Sequence, residues 1–186
     1  MELWGWGKKN TADVNSKGQL LTASKSFSED HDAAIDGEAY TMDIDAVGVN
    51  GSEHLCVIKN NHSTKSLIIT SILLWVATYK DTTFLEARLN ETFTYDANGT
   101  AIVPTNLKSG KVGGAQGDFY VIAAAGTDIT TFGGTAVVAG RCIFTTTPYK
   151  WVKASNWIVP PAQVFSLYND SNDNTYSGYI SFYYHI

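Results

Sequence analysis

Five carboxylates and an imidazole lie within ten residues at Glu29, Asp30, His31, Asp32, Asp36 and Glu38. Hard oxygen donors of this kind suit a divalent cation. A run of acids in a polar segment is, however, by default a solvated surface. The loop Asp170-Ser171-Asn172-Asp173-Asn174 places oxygen ligands at alternate positions but lacks the glycine and the distal glutamate of a helix-loop-helix calcium site, so it reads as a polar hairpin loop. His31, His54, His62 and His185 show neither HxH nor HExxH spacing. No metal site is expected.

Nucleophilic chemistry finds no better support. There is no G-x-S-x-G elbow, and Cys56 and Cys142 sit in apolar, strand-like stretches rather than at an electropositive helix end. Asp43 and Asp45 share one strand face, as the acids of a glycosidase do. Acids on an exposed strand also discourage edge pairing, which is the plainer reading. Gly113-Gly114 and Gly133-Gly134 form neither a dinucleotide fingerprint nor a phosphate loop. The chain reads as a non-enzyme, with no catalytic residues and no cofactor.

Binding residues are easier to name. Trp75, Trp151, Trp157 and the cluster Tyr176, Tyr179, Tyr183, Tyr184 offer rings on which sugars stack, although strand aromatics mostly fill cores and interfaces. The sequons at Asn61, Asn90, Asn98 and Asn169 carry little weight in an Asn/Thr-rich β protein. Trp4 and Trp6 are the apolar anchors of an otherwise polar N-terminal stretch. They are the expected partner-binding residues, burying area against either a neighbour or the protein's own body.

Strands must position these groups. Between Phe84 and Tyr95, Leu85, Ala87, Leu89, Phe93 and Tyr95 fall on one face and Glu86, Arg88, Asn90, Thr92 and Thr94 on the other. Tyr40 to Val47 alternates likewise, and Leu67 to Tyr79 reads as a long strand buried on both faces. Lys80-Asp81-Thr82 is expected to close a hairpin between the Leu67 to Tyr79 and Phe84 to Tyr95 strands. Eight to ten strands separated by Gly, Asn, Asp and Pro turns, without a long helix, predict an all-β fold. The expected architecture is a two-sheet sandwich of jelly-roll type with an extended N-terminal arm. The arm is expected over residues 1–39 and the β-sandwich domain over 40–186.

The 186 residues suffice to bury a core without staples. A net charge of -5 repels phosphate backbones, which argues against nucleic acid as a partner. The longest apolar run, residues 66–79, is too short for a membrane helix. Met1 to Lys9 lacks the basic-then-apolar pattern of a signal peptide, so production in a cytoplasm is expected. Cys56 and Cys142 then read as buried reduced thiols, one inter-strand disulfide being the alternative.

Gly18-Gln19-Leu20-Leu21-Thr22 and Leu55-Cys56-Val57-Ile58-Lys59-Asn60-Asn61, the latter followed by Lys65-Ser66-Leu67-Ile68-Ile69-Thr70, resemble segments of tailed-bacteriophage virion proteins. In that group an I-K-N-N strand end and a K-x-L-x-I strand start flank a loop. The resemblance implies a head decoration (cement) protein, often a homotrimer of jelly rolls seated on the capsid surface. Its partners would be the major capsid protein and further copies of itself, after production in the host cytoplasm. Two other readings compete with it: a carbohydrate-binding receptor module of a tail fibre or spike, and a jelly-roll capsid protein.

Overall fold

Segments rich in Val, Ile, Thr and Tyr, cut by Gly, Asn and Pro, can bury a face only by pleating into sheets that pack on one another. The computed structural model describes the backbone of residues 2–5, 8–11, 13–14, 20–21 and 29–186, apart from 80–81, 96, 112–113, 130–131, 145–149, 153–155 and 171–172; side chains are described only from Glu29 on. Near the N-terminus β1 (Glu2–Gly5) pairs with β2 (Lys8–Thr11), and β3 (Asp13–Val14) with β4 (Leu20–Leu21). Helix α1 (Glu29–Asp36) follows.

The sandwich is built from β5 (Ala39–Val49), β6 (Glu53–Asn60), β7 (Ser66–Tyr79), β8 (Thr83–Phe93), β9 (Gly99–Ala101), β10 (Thr105–Asn106), β11 (Gly117–Ile122), β12 (Phe132–Phe144), β13 (Lys150–Val152), β14 (Trp157–Val159), β15 (Val164–Asn169) and β16 (Asn174–His185). One sheet runs β10-β5-β16-β7-β13, with β14 also paired to β7; the other runs β12-β8-β15-β6-β11-β9. From β5 to β8 each step along the chain changes sheet, and so do the steps from β12 to β13, from β14 to β15 and from β15 to β16, β13 and β14 both pairing with β7. That alternation is the jelly-roll connection. Strands β9 to β11 are an excursion between β8 and β12 that widens both sheets at one edge.

Met42, Ile44, Ile72, Leu74, Ile180 and Phe182 of the first sheet face Cys56, Ile58, Leu85, Ala87, Phe165 and Leu167 of the second, and all are essentially inaccessible. Phe119 stacks on Phe182 across the gap at 5.4 Å between centroids, and Trp157 stacks on Phe165 at 5.7 Å. Each large apolar side chain buried in this layer contributes about 1.5–3 kcal/mol. Cys56 and Cys142 are free and buried. They lie on β6 and β12, which β15 and β8 separate, so the disulfide alternative is not realised. Burial pushes the Cys56 thiol up to about 12 and that of Cys142 to about 11.

Three expectations change. No hairpin joins β7 and β8, because they belong to different sheets. The alternation of β8 also breaks: Asn90 adopts φ +63° and the register with β15 slips between Val164 and Phe165. Beyond that bulge Glu91, Phe93 and Tyr95 turn to the outer side, away from Leu85 and Ala87. Finally, β7 is buried on both faces only in its first half. Its outward Ile68 lies under α1 with Ala33, Ala39 and Tyr183, whereas Trp75 is 42% exposed.

The acidic segment is helical rather than irregular from Glu29 to Asp36. Acids in its first turn favour the helix dipole. Gly37, at φ +76°, ends it with Gly37 N–H donating to Ala34 O and Glu38 N–H to Ala33 O, a paired closure that satisfies the last carbonyls.

Gly178 marks the closest backbone approach, between β16 and β7. It holds φ +149°, and a Cβ there would sit 1.9 Å from the Leu73 carbonyl oxygen. Gly178→Ala should therefore lower unfolding free energy by at least about 3 kcal/mol in urea titrations. Gly110→Ala, at φ +76° with open space around it, should cost about 1 kcal/mol.

Candidate functional site

The expected anchors lie at the margin of what the structure describes. Trp4 is on β1, its backbone in register with Lys9; Trp6 lies outside the described residues, as do both side chains. Among the described residues no group of three or more His, Cys, Asp or Glu is arranged to hold a metal ion. No described helix is long and apolar enough to cross a membrane.

Polar side chains converge instead on the outer face of the β12-β8-β15-β6 sheet. Alternation puts Glu86 and Arg88 of β8, Ser166 and Tyr168 of β15, and Val57 of β6 on this side. The Asn90 bulge adds Glu91, and a register slip between Leu167 and Tyr168 adds His54. The segment after β11 folds back over the face and delivers Asp128 and the fully buried Ile129.

His54 is the hub. Its Nδ1 lies 2.9 Å from Asp128 Oδ2 and its Nε2 3.5 Å from Glu91 Oε1, while its backbone N–H donates to Asp128 Oδ1 at 2.8 Å. Ser166 Oγ donates to Glu91 Oε2. Arg88 donates through Nε and Nη2 to Glu86 Oε2 at 3.0 and 2.8 Å, and Arg141 donates to Glu86 Oε1. The Arg88 guanidinium also lies flat against Tyr168, 3.4 Å from the ring centre, and His54 meets the same ring edge-on at 4.9 Å.

Burial alone would lower the His54 pKa and raise those of Glu91, Asp128 and Glu86. Hydrogen bonds and charge outweigh it in each case. Asp128 and Glu91 raise His54, His54 holds Glu91 and Asp128 down, and Arg88 and Arg141 hold Glu86 down. Serine, histidine and carboxylates meet here, yet Ser166 is fully buried and donates to Glu91 rather than to the imidazole. The arrangement clamps a loop to a sheet.

The aromatic candidates divide. Tyr176 and Tyr184 belong to the main core, Trp157 packs against it, and Tyr183 is buried under α1. The Trp151 side chain lies outside the described residues. Trp75 and Tyr179 alone of this set are exposed among the described side chains, on the outer face of the other sheet. Sequence reasoning weighed His54 only as a metal ligand and did not foresee its cluster. The one signal was the pairing of Glu86 and Arg88 on a single strand face; the bulges that add Glu91 and His54 leave no mark in a spacing rule. Comparisons with protein families, with curated proteins and with solved structures found no match to this chain.

The network has a signed consequence for stability. Raised His54 favours the fold fully below its ordinary value of about 6.5, and that contribution disappears as pH rises through the folded value. The depressed carboxyls contribute above about 4.3, and their share is lost as pH falls through their folded values. Unfolding free energy from urea titrations should thus be highest between about pH 5 and 6.5. His54→Gln should remove the decline on the alkaline side; parallel wild-type and variant curves above pH 6.5 would disprove the coupling.

Proposed function

We propose that the chain is a non-enzymatic structural protein of a tailed-bacteriophage virion: a head decoration (cement) protein that binds the major capsid protein on the capsid surface and associates with copies of itself. The resemblance of its β6-loop-β7 segment to phage virion proteins supports this reading. So does a sandwich in which most connections cross between sheets, a build suited to holding contacts under load.

The observation that carries it is β12. Among the described residues this strand of 13 residues ends its sheet, with β8 as its one neighbour in the strand order. Val137, Val138 and Ile143 are each nearly half exposed along it. Bulges interrupt the register between Gly134 and Val137 and between Val138 and Gly140, but Gly140 to Phe144 runs without a break. An open row of backbone donors and acceptors flanked by exposed apolar side chains favours association. Arg141 is the one formal charge on this stretch.

Quantitative mass spectrometry of purified virions of the phage that encodes the chain should find it in copy numbers matching the head lattice. Its absence from those virions overturns the reading. Removing residues 1–25 should abolish particle binding and leave the far-ultraviolet circular dichroism unchanged. Ile143→Lys should shift the sedimenting species toward monomer, since it places a charge on the open edge.

A further inference from the structure

On the outer face of the β5-β16-β7 sheet, Tyr179 is in register with Asp43 on one side and Leu73 on the other, and Ser177 with Trp75. Trp75 and Tyr179 are therefore diagonal neighbours, about 7–8 Å apart along the pleat. They are 42% and 38% exposed, and Asp43 beside them is exposed too. One row on, the Thr41 and Ser181 hydroxyls lie 3.4 Å apart. Asp43 and Asp45 also line a cleft of about 360 Å³ beside the part of β5 beyond its pairing with β10, with Thr100, Ile102, Val121 and Ala124. None of its described lining residues is Lys or Arg.

We infer that this platform and the cleft beside it form a binding site for an uncharged or amino-bearing glycan. A pyranose ring has an apolar C–H face and a rim of hydroxyls. The two rings provide surface for the former, and the Asp43 and Asp45 carboxylates accept strong hydrogen bonds from the latter. The same carboxylates, with no Lys or Arg among the described residues lining the cleft and with Lys150 beyond Trp75 on the far side from Asp43, repel sialylated, uronate or phosphorylated sugars. They also oppose a symmetric pairing of two copies through this face, which would bring both Asp43–Asp45 sets onto one interface. The site is independent of the capsid-binding role and would add adhesion to it.

The test is calorimetric and NMR titration of the full chain with the hexamers of N-acetylglucosamine, β-1,4-glucose and α-1,4-glucose, with sialyllactose as the excluded ligand. At least one hexamer should bind saturably below about 10 mM, shifting the Trp75 indole and the Tyr179 and Asp43 amides, while sialyllactose produces no shift. Trp75→Ala and Tyr179→Ala should each weaken binding about tenfold. Asp43→Asn, which removes no packing, should weaken it as well. The inference fails if none of the three hexamers binds, if sialyllactose binds as well as they do, or if binding survives Trp75→Ala undiminished. It also fails if Trp75→Ala dissolves an oligomer in sedimentation, because a second copy then occupies the face.

Discussion

The apolar layer between the two sheets is the constraint on which the rest of the molecule depends. Met42, Ile72 and Phe182 are buried only because Ile58, Phe165 and Leu167 stand opposite, and neither set belongs to a sheet that its own sequence neighbours could complete. β5 finds its partner in β16, at the far end of the chain. β8 finds its own in β15 and β12. Pairings so distant in sequence make folding slow and all-or-none, and they leave few places where the sandwich can open locally.

A second, smaller layer sits on the outside of one sheet. There the buried groups are charged, and each is answered: His54 by Asp128 and Glu91, Glu86 by Arg88 and Arg141. Around them Phe93, Tyr95 and Tyr120 pack ring to ring, Tyr95 stacking on Tyr120 at 4.2 Å. Such a cluster adds little net stability compared with apolar packing, since desolvating the ions costs nearly what pairing them returns. Its directional bonds do set where the loop bearing Asp128 lies, which apolar contacts alone do loosely.

Two surfaces stay open among the described residues, the β12 edge and the Trp75–Tyr179 face. They differ in chemistry. The edge offers backbone hydrogen bonds and branched aliphatic side chains, which suit another polypeptide. The face offers two rings, hydroxyls and carboxylates, which suit a hydroxylated ligand. A rigid body with two unlike surfaces can hold a lattice with one and a second ligand with the other.

The strand count fell short, with eight to ten expected against twelve described between Ala39 and His185, but the all-β two-sheet class was legible from residue order, because side-chain alternation and Gly/Asn/Pro punctuation are local properties of the backbone. Which strand pairs with which was not, and the hairpin read at Lys80-Asp81-Thr82 shows why: a turn sequence does not say whether its strands stay in one sheet or cross to the other. The charge cluster was hidden for a related reason. Asn90 in a left-handed conformation shifts Glu91, Phe93 and Tyr95 to the opposite face, and the slip beside Leu167 brings in His54. A one-residue offset of that kind is decided by packing across strands, so only the folded chain could reveal it.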